Sequence, residues 1–225
     1  MDLPYQLIRS RKRRRTISLN VRENGEIALY VPFSTSQREI ERFLAERRPW
    51  ISRKLAEKER RQKETARTFA DGERFLFLGE WYPLVIEETD QEVPFRLHAG
   101  RFLLMRPYTE NTRDLFIRWY QGEAKERIVE RTLFYGRRHL LSPEGVRITS
   151  ARHRWGSCSR KNRLCFSWRI IMAPLPVIDY VVIHELVHIR EKNHSRRFWT
   201  HVESILPDYR KRRQWLNEHG HLLQI

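Results

Sequence analysis

Val177–Asn193 reads VIDYVVIHELVHIREKN, and it follows Pro174 and Pro176 with no further proline or glycine to interrupt it. The spacing predicts a helix that begins near Pro176, carries Asp179 in its first turn and ends near Asn193. Val177, Ile178, Tyr180 to Ile183, Leu186, Val187 and Ile189 cover almost its whole circumference, as in a helix buried inside a core. His184, Glu185 and His188 interrupt that cover. Ionisable groups in such surroundings cost on the order of several kcal/mol unless they are paired or bind a metal. Residues four apart share one helix face, so His184 and His188 can aim imidazole nitrogens at one ion about 2.0 to 2.1 Å away. Glu185 lies about 100° further round. It is placed to take a proton from a water on the metal rather than to be a ligand.

A catalytic zinc has three protein ligands and an open position, so a third ligand must come from beyond the helix. His194 is the first candidate, because a turn at Asn193 folds its ring back over the ion. His201 is the second, and Glu203 and Asp208 would serve in a carboxylate-ligand variant. The expected cofactor is Zn2+, the expected base Glu185, and the expected chemistry hydrolysis near neutral pH.

Outward from this helix, the chain of 225 residues has 40% hydrophobic content, with 11 Phe, 8 Tyr and 7 Trp, enough for one large packed domain or two modest ones. Its net charge of +16 favours an anionic partner. The run Arg11 to Arg15 is a candidate phosphate-binding patch. The N-terminal charges occupy the place of a signal peptide's apolar segment, and no later run reaches the length of a membrane span. Only Cys158 and Cys165 are present, too few for a disulfide framework. A soluble cytoplasmic protein without membrane contact is expected. Oligomeric state is open.

The fold class expected is α+β, with an antiparallel β-rich N-terminal region carrying a kinked helix (residues 1–110) and a catalytic domain (residues 111–225). Ile17, Leu19 and Val21, then Ile27, Leu29 and Val31, alternate around Glu23-Asn24-Gly25-Glu26, the mark of an antiparallel hairpin. From Ser36 the spacing turns helical; Pro49 is expected to kink this helix, and Glu57 to Arg67 reads as a solvated helix end or linker. Phe75 to Ile86 and Phe95 to Met105 read as strands of the same N-terminal sheet, with turns at Gly79-Glu80 and Ala99-Gly100. A long helix follows from Thr112. Val146 to Trp155 and Leu164 to Ile171 are two expected strands, placing Cys158 and Cys165 nearly opposite each other as small apolar residues. Phe198, Trp199, Val202, Ile205 and Leu206 predict an amphipathic helix covering the metal helix, and a basic helical tail follows from Asp208 to Leu223.

The segments RWGSC (Arg154 to Cys158), LCFSWRI (Leu164 to Ile170), PLPVIDYVVIHELVH (Pro174 to His188) and NHSRRFW (Asn193 to Trp199) resemble the YgjP-like metallopeptidase family, which is related to the SprT-like and WLM-type zinc proteases. RSRKRRRTISL near the N-terminus is similar to that family's opening. The resemblance implies zinc ligands His184, His188 and His194, Glu185 as general base, a zincin-like (minigluzincin-type) catalytic domain, and a peptide or protein substrate. It also draws attention to Trp155, Gly156 and Ser157, since an edge strand beside the metal can hold an extended peptide through its main chain. Against this stands a structural reading, in which Trp155 is a core aromatic and Gly156 a bulge. His201 and Tyr209 are candidate oxyanion donors. Two other functions stay open: a basic nucleic-acid-binding module with a structural zinc, and a protease recruited to DNA.

Overall fold

The structure is a computed structural model that describes residues 4–22, 25–88 and 93–225. It divides into two compact units, Met1–Ala66 and Arg67–Ile225.

In the first unit β1 (Tyr5–Ser10), β2 (Ser18–Val21) and β3 (Ile27–Pro32) form a sheet of order β1-β3-β2. β2 and β3 pair antiparallel with Leu19 opposite Leu29, as their alternation requires. Residues 23 and 24 of the expected turn lie outside the described residues, while Gly25 takes φ +87, where a side chain would be strained. Beyond the expected hairpin, β1 adds to the other side of β3 in parallel, so the sheet is mixed rather than antiparallel. The basic run Arg11 to Arg15 forms the connection between β1 and β2. α1 (Gln37–Thr65) starts on a capping box, in which Glu39 N–H donates to Ser36 Oγ at 3.3 Å and Ser36 N–H donates to Glu39 Oε2 at 2.8 Å. Ile40 packs with Leu29 and Val31 in a small core. Pro49 lies inside this helix without ending it. The polar stretch expected as helix end or linker stays helical to Thr65, supported by pairs one turn apart such as Lys54–Glu57 and Arg60–Glu64, both at 2.8 Å.

In the second unit β4 (Arg74–Phe77), β5 (Glu80–Glu87), β6 (Phe95–His98) and β7 (Arg101–Met105) form a separate sheet of order β4-β5-β7-β6. Both of its hairpins turn through two consecutive positive-φ residues, Leu78-Gly79 and Ala99-Gly100, the conformation whose twist suits a two-residue loop. The β5–β7 pair is parallel. This sheet was expected to belong with the N-terminal strands, with a boundary after residue 110; the compact units part instead after Ala66. The reason is aromatic packing. α2 (Thr112–Arg138) sets Phe116 against Phe75 and Phe95, with ring centroids 4.2 and 4.4 Å apart. Tyr120 Oη, fully buried, donates to Leu76 O at 2.7 Å.

The remaining elements build the site. β8 (Gly145–Thr149), β9 (Gly156–Cys158) and β10 (Arg163–Ser167) form a sheet of order β8-β10-β9, so β9 is an edge. Val146 to Trp155 is therefore not one strand: β8 lies parallel on one side of β10 and β9 antiparallel on the other. A short 3-10 segment, Trp168–Met172, leads to α3 (Leu175–Val187). The Leu78-Gly79 turn clasps this lead-in, with Leu78 N–H donating to Ile171 O and Gly79 N–H to Met172 O, each at 3.0 Å. A Cβ on Gly79 would lie 2.7 Å from Pro174 Cγ. α4 (Arg196–Ile205) and α5 (Tyr209–His219) complete the unit. The whole is α+β, with three small mixed sheets. Among the described residues no helix is long and apolar enough to cross a membrane.

Candidate metal centre

α3 is buried along almost its whole length, as its composition demands, and ends at Val187 with His188 as its C-cap. The end expected near Asn193 is thus six residues too late. Asp179, expected to act on the helix dipole, is instead buried and clamps α3 to α2. Its two carboxylate oxygens accept from Arg131 Nε at 2.6 Å and Arg131 Nη2 at 2.7 Å, and Oδ2 also accepts from Tyr135 Oη at 2.9 Å.

Past the helix the chain loops back. Asn193 Oδ1 accepts from Ser195 N–H at 3.1 Å, and Ser195 Oγ caps α4 by accepting from Phe198 N–H. Between these two turns His194 is brought over α3. His184, His188 and His194 then offer one nitrogen each, all within 4.8 Å of one another. His184 Nε2 and His194 Nε2 stand 2.9 Å apart, near the roughly 3.3 Å that separates two nitrogens on a tetrahedral zinc. His188 Nδ1 is 2.8 Å from Glu191 O; donating to that carbonyl leaves Nε2 unprotonated and free to ligate. Phe198 is the apolar wall for all three rings, with centroids 4.5 to 4.8 Å away. Burial, followed by the neighbouring His188 and His194, holds His184 down to about 3, so it is neutral at pH 7 as a ligand must be. The donor set therefore suits a borderline metal such as zinc.

Among the described residues no fourth His, Cys, Asp or Glu joins the three. Glu203 is engaged by Arg210 at 2.8 Å and Asp208 by Arg212 at 3.0 Å, so neither serves as the carboxylate alternative. His201 lies where its charge acts on His139 rather than in the cluster. Tyr209 is buried and stacks on Trp199, whose own ring lies 5.7 Å from His194, which puts it one layer behind the nitrogens. Arg213 sits over the Trp199 ring at 4.9 Å; lying in the basic tail, it gave no sequence signal.

Glu185 is only 5% exposed. Burial pushes its carboxyl up to about 8, with Arg154 pulling the other way. A cation held by the neighbouring histidines would act in the same direction as Arg154, favouring the carboxylate. The packing around it explains Gly156. A Cβ there would lie 2.5 Å from Glu185 Oε1 and 2.6 Å from its Cγ. Only glycine lets β9 pass so close to this carboxyl.

β9 also has a definite open side. Ser167 N–H donates to Trp155 O at 2.8 Å, and Ser159 N–H to Arg163 O at 2.9 Å. With Ser157 opposite Cys165, ladder alternation makes residues 155, 157 and 159 face β10, and leaves the N–H and C=O of Gly156 and Cys158 directed to the free edge. Of the expected trio, then, Trp155 and Ser157 spend their main-chain groups inside the sheet, whereas Cys158, not expected, presents its own outward. The register also separates the cysteines: Cys158 opposes Leu164, so it shares the core face, while Cys165 lies on the other. Both thiols are free.

No curated protein and no solved structure matches the chain. A family match does exist: the YgjP-like family, described as a YgjP-like metallopeptidase domain, covers residues 15–219. That span holds His184, Glu185, His188 and His194, and the chain belongs to the YgjP-like metallopeptidase family.

Proposed function

We propose that this protein is a zinc-dependent peptidase in which His184, His188 and His194 hold the metal and Glu185 is the general base. The observation that carries the reading is the convergence of three ring nitrogens within 4.8 Å beside a buried carboxylate. Zinc at such a position supplies Lewis acidity, polarising a carbonyl and making water acidic enough to lose a proton near pH 7.

The protein's own residues would do the rest. Glu185, held against Gly156, accepts a proton from the attacking water and returns it to the leaving amine. The N–H and C=O of Gly156 and Cys158 bind an extended peptide as a further strand, which accounts for a substrate role of the segment around Trp155, Gly156 and Ser157. Trp155 packs at the margin of the core. The three-ligand set, with no fourth donor among the described residues, supports an open site over a closed structural one.

A second reading adds nucleic acid as a partner. Arg11 lies over the ring of Phe33, which is 60% exposed, and Arg13 over that of Tyr30, a pairing of cations and aromatic faces suited to single strands.

The test of the first reading is the Glu185→Gln variant with zinc analysis. Hydrolysis of a mixed peptide library should fall by about 10² to 10⁴, while zinc stays at the wild-type stoichiometry. Wild-type turnover in the variant would end the assignment of Glu185. His188→Ala should instead lose the metal.

A further inference from the structure

The sheet that carries β9 has a second face. Val146, Leu164 and Phe166 point to the core, so the alternate residues Arg147, Ser157 and Cys165, in register across the three strands, face outward. A hollow of about 560 Å³ opens there, and its rim includes Arg147, Arg154 and Arg163. All three arginines are exposed, and among the described residues none makes an ion pair. Among the described residues no acidic one lines the hollow. It reaches β9 through Ser157 and Cys158, the strand whose open edge lies beside Glu185.

A peptide laid on that edge would alternate its side chains. One set would lie over α3 and the histidines, and the other over the outer face beside Ser157. We infer that the hollow is a specificity subsite for acidic side chains, Asp or Glu, at alternate positions of the bound peptide. The inference rests on the reading of β9 as the substrate strand. Arg147 and Arg163 have no counter-charge among the described residues, while Arg154 also acts on Glu185; these guanidinium groups attract carboxylates, and planar two-point pairing suits them better than it suits a neutral amide. Like charge on a Lys- or Arg-bearing peptide would be repelled by the same groups, so the hollow selects in both directions.

The experiment uses the full chain as its Glu185→Gln variant, so that binding is read without cleavage. Two sets of ten-residue peptides are compared by fluorescence anisotropy at low salt: one with Asp or Glu at alternate positions, the other with Asn or Gln in their place. The acidic set should bind about tenfold more tightly, as a few exposed charge pairs provide, and the difference should shrink with salt. Adding Arg147→Gln and Arg163→Gln should remove most of the preference while leaving the amide set unchanged. Circular dichroism would confirm that the variant is folded. Equal binding of the two sets, absent binding of both, or a preference that survives the arginine changes would overturn the inference. So would a mixed-sequence oligonucleotide whose binding drops with the arginine changes more than that of the acidic peptides. Acid-selective binding by a protein that cleaves no peptide in its wild-type form would leave the subsite standing and remove the peptidase reading. Cleavage without acid selectivity would do the reverse.

Discussion

α1 and α3 are opposite solutions to being a helix. α1 is 29 residues long, and only Ile40 and Ile51 are buried. It is held by its capping box and by ion pairs along its surface. α3 is 13 residues long, has no side-chain cap, and is buried at nearly every position. A helix this short has little stability of its own in water, so α3 exists because its neighbours enclose it. The difference shows where chemistry can be kept. The Glu39 carboxylate on α1 is solvated and is held below the usual range by the Ser36 backbone N–H, whereas Glu185 on α3 has its proton affinity raised by burial and its position fixed by the passing strand.

If α3 depends on enclosure, cutting its clamp to α2 should be the most damaging structural change. Asp179→Ala leaves Arg131 and Tyr135 without their shared acceptor. Removing one partner of a buried pair costs about 3 to 5 kcal/mol; because the Arg131 side chain is 24% exposed and can partly rehydrate, about 2 to 3 kcal/mol is expected. Urea denaturation measures it, and a loss under about 0.5 kcal/mol would show α3 to be self-sufficient. Gly156→Ala tests enclosure at the site. The added methyl must displace Glu185 or β9, at about 1 to 3 kcal/mol. Turnover should fall at least about tenfold with zinc content intact. Unchanged turnover would mean the two elements part easily.

The same contrast explains what the sequence disclosed. The helix bearing His184, Glu185 and His188 was legible because a nearly continuous apolar run makes three ionisable residues conspicuous. His194 was legible from the turn at Asn193 and the family resemblance. The end of α3 is not legible in the sequence because Ile189 continues the apolar pattern, although the chain must leave the helix early to bring His194 back. The role of Asp179 was hidden, since its partners Arg131 and Tyr135 lie on another helix. The domain boundary was hidden too, because the Phe75, Phe95 and Phe116 stack joins β-rich and helical segments that look separate in composition. No local pattern could tell that β9 exposes Gly156 and Cys158 while turning Trp155 and Ser157 inward, because register is a property of the pair of strands.

The smallest effect expected belongs to α1, and its smallness is informative. Ser36→Ala removes the oxygen that accepts from Glu39 N–H and the reciprocal contact to the Glu39 carboxylate. The cost of losing such a cap is about 1 kcal/mol, more than the few tenths that one surface ion pair such as Arg60–Glu64 contributes. The Ser36 hydroxyl also helps hold the Glu39 carboxyl below the usual carboxylate range, where the first cause is the Ser36 backbone N–H. Amide hydrogen exchange should therefore quicken over the first turn of α1, from Gln37 to Ile40, with the rest of the helix nearly unchanged. Because α1 and α3 belong to different compact units, peptide turnover and zinc content should not move. Exchange that stayed at the wild-type rate would show that packing of Ile40, not the cap, starts this helix. A fall in turnover would reveal coupling between a solvated helix and a buried one that their separate means of support give no reason to expect.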